Sequence, residues 1–133
     1  MSAFVADTHA VIWYILNQDA LSSNARAAFD SAAASGDPVY LSAISVVEIR
    51  YLVEKGKLTT VFFDRLDEAL NSADAALVVI PVTLEIARTL NEISRTSIPE
   101  MPDRIIAATA FYLELALITR DRKIQASVIK TVW

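Results

Sequence analysis

Short apolar runs alternate along this chain with longer stretches in which apolar residues recur every three or four positions. The run AFVA (3–6) reads as a buried strand, and helical spacing continues from there to Leu16. The Ala-rich segment 22–35 reads as a helix that ends at Gly36, Asp37 and Pro38. VYLS (39–42) is a second strand, followed by helical spacing over 44–55 and again over 60–72, where Phe62, Leu66 and Leu70 recur four apart. ALVVI (76–80) is a third strand bounded by Pro81, and Ile86, Ala87, Leu90 and Ile93 mark another helix. SIPEMP (97–102) reads as a loop before a helix over 103–115. ALIT (116–119) is a fourth strand and IKTVW (129–133) a fifth.

Strands that alternate with helices predict an α/β fold with right-handed crossovers and a parallel sheet covered on both faces. The 133 residues suit one domain with a sizeable core, without repeat, linker or low-complexity tail. In such folds ligands bind beyond the carboxyl ends of the strands, so the chemistry is sought there.

Composition narrows that chemistry. Cysteine is absent, which excludes disulfides and thiolate metal sites and suits a reducing cytoplasm. Two glycines cannot build a phosphate-cradling loop, and a lone histidine excludes HExxH-type zinc chemistry. No apolar run spans a membrane, and no basic segment precedes the first apolar stretch as in a signal peptide. A net charge of −4 speaks against nucleic acid only if the acids are spread over the surface. If several converge on cations, the sign met by a phosphate reverses locally.

Four acids stand where convergence is expected. Asp7 is the only charged residue in the stretch 3–16 and follows the first strand. Asp121 lies just past the fourth, and Asp103 opens the helix that follows the 97–102 loop. Glu48 lies one turn into the helix after the second strand, four residues from Ile44 and Leu52 and three from Tyr51, along an apolar face. Asp7, Asp103 and Asp121 also suit the plain role of helix N-terminal acids, which accept backbone N–H bonds and complement the helix dipole. Several carboxylates without cysteine or clustered histidine suit hard divalent cations, chiefly Mg²⁺ or Mn²⁺, as one or two ions. The four acids carry the whole formal charge of −4, which two such ions would cancel. Arg104, Arg120, Arg122 and Lys123 then stand close by in sequence to meet phosphates. His9, two residues from Asp7, would point roughly 200° away from it on a continuing helix, which favours packing or surface polarity. Trp13, Tyr14 and the phenylalanines stand at core or interface spacing, and nothing singles out one as a stacking platform.

VADTHAVIW, SVVEIRYLVEKGKL, MPDRIIAATA and LITRDRKI occur in an order and at spacings that resemble PIN-domain proteins, and more narrowly the VapC-type ribonuclease toxins of toxin–antitoxin systems. The resemblance covers essentially residues 1–133. It implies a three-layer α/β/α fold with a central parallel sheet of four to five strands, and Mg²⁺- or Mn²⁺-dependent hydrolysis of RNA. It assigns the acidic pocket to Asp7, Glu48, Asp103 and Asp121, with supporting hydroxyls at Thr8, Ser45 and Thr119, for which ordinary capping and turn bonds are the alternative. The overall acidic balance departs from a dense basic footprint and leaves the RNA path undefined. Water as nucleophile predicts 3′-hydroxyl and 5′-phosphate products.

The same likeness implies a cognate antitoxin whose tail crosses the pocket and inserts an Arg or Lys among the carboxylates. Phe62, Phe63, Leu66 and Leu70 are more apolar than one buried stripe requires, so part of that face is expected to be covered by antitoxin or a second protomer, consistent with a homodimer, with packing in the core alone as the alternative. Three rivals remain. A haloacid-dehalogenase-type phosphatase requires an Asp where this chain has His9, and a receiver-like metal-binding domain requires an acid after the third strand, which ends VVIPVT. A protein-interaction module without nuclease activity would use the acids as caps alone.

Overall fold

The computed structural model describes residues 3–72 and 76–133. Strand β1 (Phe4–Ala6) leads into helices α1 (Thr8–Ile15) and α2 (Ser23–Ser35), and β2 (Val39–Ser42) into α3 (Ala43–Glu54) and α4 (Thr60–Asn71). Then follow β3 (Leu77–Ile80), α5 (Leu84–Thr89), a 3₁₀ turn (Leu90–Glu92), α6 (Met101–Leu113), β4 (Leu117–Ile118), α7 (Arg122–Gln125) and β5 (Thr131–Val132). Hydroxyl caps start several helices. Ser22, Ser42, Thr59 and Thr83 accept first-turn N–H groups of α2, α3, α4 and α5, respectively. Gly36 closes α2 at φ +71°, a left-handed geometry that glycine adopts without Cβ strain.

All pairings are parallel, in the order β3-β2-β1-β4-β5. Val5 stands beside Tyr40 and Leu117, whereas Ala6 stands beside Leu41 and Ile118. Alternation sends these two rows to opposite faces. Ala6, Val39, Leu41 and Ile118 pack with Val11 and Ile12 of α1, Phe29 of α2, Ile49 of α3 and Phe62 and Leu66 of α4. Val5 and Leu117 pack on the other side with Ile86, Ile93, Ile106, Ala110 and Ile124. Two cores therefore sandwich the sheet, as expected for an α/β/α arrangement.

Boundaries differ from expectation where local chemistry overrides pattern. The 97–102 segment was expected as loop throughout, yet α6 begins at Met101 and includes Pro102. Proline is favourable in the first helical turn, where its missing N–H has no intrahelical partner to lose. The four-residue α7 is too short to show a helical period and was not expected. On α4, Phe62 and Leu66 are core, while Phe63 and Leu70 pack half-buried against it. The apolar residues left exposed on α3 and α4 are Val47, Tyr51 and Val61. Among the described residues no helix is long and apolar enough to cross a membrane.

Leu41 is 0% exposed in a strand covered on both faces. Leu41→Ala should lower stability by about 2–5 kcal/mol through lost burial and a residual cavity, measured as a shift in urea midpoint.

Candidate acidic active site

The order of strand addition reverses at β1: the chain builds β2 and β3 on one side, then returns to place β4 and β5 on the other. That reversal opens a crevice at the carboxyl ends of β1 and β4, the usual ligand position in open parallel sheets. A cleft of ≈ 610 Å³ lies in the molecule with Asp7, Glu48, Asp103 and Asp121 all in its walls. The four acids expected from the sequence are thus brought together.

Asp7 is anchored at both ends. Its backbone N–H donates to the Ile118 carbonyl (3.0 Å), continuing the β1–β4 pairing by one residue. Its Oδ1 accepts from the Ala10 N–H (2.9 Å) as the N-cap of α1, and its Oδ2 accepts from the Thr119 hydroxyl. Thr119, fully buried, also accepts the Asp121 N–H (3.0 Å) on the same hydroxyl oxygen. Asp121 Oδ1 in turn caps α7, accepting from Lys123 N–H (2.8 Å) and Ile124 N–H (3.1 Å). Capping and cleft lining, alternatives when read from sequence, are combined in Asp7 and Asp121.

Glu48 is oriented by a second hydroxyl pair. Thr8 Oγ1 lies 2.6 Å from Glu48 Oε1 and 2.8 Å from Ser45 Oγ. A threonine hydroxyl has one proton, so the charge-assisted bond to Glu48 takes it and Ser45 supplies the other contact. Thr8, Ser45 and Thr119 are buried, and each is engaged with an acid or with the hydroxyl that holds one. Ser45 does so without lining the cleft.

Asp103 stands in the first turn of α6 and, unlike Asp7 and Asp121, caps nothing: the N-cap is Glu100, which makes no side-chain cap bond. Burial pushes the Asp103 carboxyl up from 3.8 to about 6, reinforced by the charges of Asp121, Glu48, Asp7 and Glu100. Burial also pushes the Asp7 carboxyl up, against the opposing hydrogen bonds from Thr119 and Ala10. Glu100 is a fifth acid in the cleft wall that the sequence reading missed. Its signal was its place three residues before Asp103, obscured by the assignment of 97–102 to loop.

The cations divide. Arg120 and Arg122 line the cleft, and Lys123 lines an adjoining depression with Glu100, Asp103 and Asp121. Arg104, expected at the phosphates, is not among them. Its Nε donates to the Ile93 carbonyl and its Nη2 to the Leu90 carbonyl, both at 2.8 Å. The guanidinium ties α6 to the end of the 3₁₀ turn, giving the Ile93 carbonyl a partner and the Leu90 carbonyl a second one beside the Ile93 N–H. His9 is exposed at the cleft wall, as is one side of the half-buried Trp13. The helical angle between Asp7 and His9 does not separate them, because Asp7 is a cap whose carboxylate folds back over the helix start.

The donor set fits a hard divalent cation in kind: carboxylate oxygens, crowded enough to oppose one another's ionisation. Among the described residues, no group of three acidic or imidazole side chains is close enough to hold an ion unaided. Gln125 also supports the site, its amide donating to the Thr119 carbonyl (3.1 Å) from the unanticipated α7.

Three outcomes follow from this geometry. Below pH 3.8 folded and unfolded chains both hold the Asp103 proton; between there and about 6 only the folded chain does. The folded state binds more protons in that window, so metal-free stability falls as pH rises through it. Asp103→Asn should therefore raise the thermal midpoint in EDTA at pH 7, a gain that vanishes toward pH 4. Thr119→Val should weaken Mn²⁺ binding by roughly 10- to 100-fold in calorimetry, as expected when the orienting partner of a ligand is lost. Arg104→Met should cost about 1–3 kcal/mol in urea unfolding and leave Mn²⁺ binding unchanged.

Comparison with known proteins agrees with the fold. Residues 4–128 match the family model of the PIN domain. No curated protein sequence matches. Among solved structures, a chain of the VapBC2 complex of Rickettsia felis, bound to a DNA fragment from their promoter, superposes with TM-score 0.73 at 18% identity, covering 97% of this chain and 96% of that one. A chain of a toxin–antitoxin complex from Klebsiella pneumoniae gives 0.67 at 23% identity, with 98% and 96% covered. A chain of FitAcB from Neisseria gonorrhoeae gives 0.64 at 24% identity, with 96% and 95% covered. A family match over nearly all of the sequence, on a parallel α/β/α sandwich with four carboxylates at its switch point, shows that the chain belongs to the PIN-domain family of nucleases.

Proposed function

We propose that residues 1–133 act as one PIN domain, a VapC-type toxin that hydrolyses RNA phosphodiester bonds in the cytoplasm and is inhibited by a cognate antitoxin. The observation that supports this reading is the meeting of Asp7, Glu48, Asp103 and Asp121 in one cleft with Arg120 and Arg122 on its wall. The solved structures of similar fold that come from toxin–antitoxin complexes point to the same class of partner.

In this reading Asp7, Glu48, Asp103 and Asp121 hold one or two divalent cations, Mg²⁺ or Mn²⁺. When bound, such a cation neutralises phosphate charge and makes a water acidic enough to attack at neutral pH. The chain's own residues do the positioning. Thr119 fixes Asp7, Thr8 fixes Glu48, and the α7 N-terminus fixes Asp121, so the carboxylates need little reorganisation when substrate arrives. Arg120 and Arg122 would steady substrate phosphates from the cleft wall. Asp103, protonated below about pH 6 without a cation, gives up its proton when one binds, which makes cation binding stronger as pH rises.

An antitoxin Arg or Lys entering the cleft would pair with the same carboxylates and exclude substrate. The exposed Val47, Tyr51 and Val61 on α3 and α4 support a protein partner there, antitoxin or a second protomer in a homodimer.

Purified protein should cut single-stranded RNA with Mg²⁺ or Mn²⁺, leaving 3′-hydroxyl and 5′-phosphate ends, and EDTA should stop it. Asp7→Asn should bring cleavage to background with the circular dichroism spectrum unchanged; cleavage at the wild-type rate would overturn the assignment. The caps at Asp7 and Asp121 keep one other reading in view, an interaction module without metal. Calorimetry separates the two, since a module predicts no Mn²⁺ heat and no effect of Glu48→Gln.

A further inference from the structure

The acidic cleft has an aromatic end. Trp13 lies on α1 six residues beyond Asp7, about 9 Å along the helix axis. His9, one turn earlier on the same face, has its ring centroid 5.6 Å from that of Trp13 at 46°. Trp133 meets the indole edge-on, 5.8 Å away at 61°, and its own carbonyl accepts from Asn24 Nδ2. The Arg120 guanidinium carbon stands 5.7 Å from the Trp13 ring centre, in the range of a cation–π contact. Trp13, His9 and Arg120 line the same cleft as the four acids. The indole is thus packed against the core on one side and held at its edge by Trp133, while its other side shares the cleft with a cation.

Core packing alone accounts for the buried side of Trp13, not for the side that shares the cleft. A rigid indole flanked by imidazole and guanidinium, beside a site for a phosphate, has the composition of a surface on which bases of a single strand stack. The span from Asp7 corresponds to two or three stacked-nucleotide rises of about 3.4 Å.

We propose that Trp13, backed by Trp133 and flanked by His9, is a stacking platform for a nucleobase close in sequence to the phosphate at the acids, with Arg120 swinging off the indole face it now covers to close over that nucleotide. The inference rests on the nuclease reading and adds to it a position at which substrate must be single-stranded and must carry a base. Stacking is tolerant of base identity, so this position selects for an unpaired base and not for a sequence.

Two measurements test it. In an Asp103→Asn, Trp133→Phe background, Trp13 is the only tryptophan, and its fluorescence should be quenched by a single-stranded adenylate hexamer. A ribose-phosphate hexamer without bases, equal in charge, should leave it unchanged. In the otherwise wild-type chain, Trp13→Leu should raise KM for single-stranded RNA by roughly 5- to 150-fold, with kcat little changed and Trp13→Phe restoring KM. A merely structural role would lower the active fraction, and with it kcat, and leave KM in place. Equal quenching by the base-free hexamer, or unchanged KM in Trp13→Leu while the wild type cleaves, overturns the platform and leaves the nuclease reading standing. Lost antitoxin affinity with unchanged KM would give Trp13 to the protein partner and also overturn it. Base-dependent quenching without any cleavage by the wild type would support the platform while removing the nuclease reading.

Discussion

Carboxylates gathered in one cleft repel, and the rest of this structure is arranged to hold them there. Five acids line the crevice above β1 and β4, where burial first and their mutual charge second raise the cost of ionising Asp103. What holds the group together is a short chain of hydrogen bonds. The Asp7 N–H bonds Ile118, the Thr119 hydroxyl bonds Asp7, and the Asp121 N–H bonds the same hydroxyl. One buried threonine therefore ties two acids from distant parts of the sequence to adjacent strand ends. Without a cation this arrangement costs stability, and a cation bound there, as proposed, would relieve the repulsion.

The helices contribute through their N-termini. Asp7 and Asp121 cap α1 and α7, and Asp103 sits in the first turn of α6, so three acids stand at the positive ends of helix dipoles. Parallel strands help, because α1 and α7 start at the edge where β1 and β4 have just ended, whereas α6 comes to that edge after α5 and the 3₁₀ turn. Glu48 reaches the cleft differently, from one turn into α3, and correspondingly depends on Thr8 and Ser45 for its orientation. Residues that bear on the proposed chemistry and residues that begin helices are thus largely the same, and a substitution at Asp7 or Asp121 that leaves no side-chain acceptor removes both roles at once.

The fold and the four acids were legible because each leaves a local mark. Apolar runs of four or five residues and helical periods locate the strands and the longer helices, and an acid just past a strand is visible as a break in an apolar run. Other features leave no such mark. Arg104 looks like a phosphate ligand in MPDRIIAATA, but the carbonyls of Leu90 and Ile93 claim it, and these are near it only in three dimensions. Pro102 reads as a loop residue until the first turn of α6 forms around it. The four residues of α7 are too few to show a period, so the support that Gln125 gives Thr119 was invisible.

The sequence by itself determined the alternation of strands and helices, the lack of cysteine and glycine-loop chemistry, and which acids stand at element ends. These are properties of neighbours along the chain, governed by side-chain period and by local conformational preference. Only the tertiary structure decided which charged groups share a cleft. The strand order β3-β2-β1-β4-β5 brings Asp7 and Asp121 together across more than a hundred residues, admits Glu100, and removes Arg104. It also faces Trp13 and Arg120 toward one another at the same edge, so that a tryptophan at core spacing acquires a side covered by a cation and not by the core. Electrostatics and stacking depend on distance in space, and no spacing along the sequence encodes which strands become neighbours.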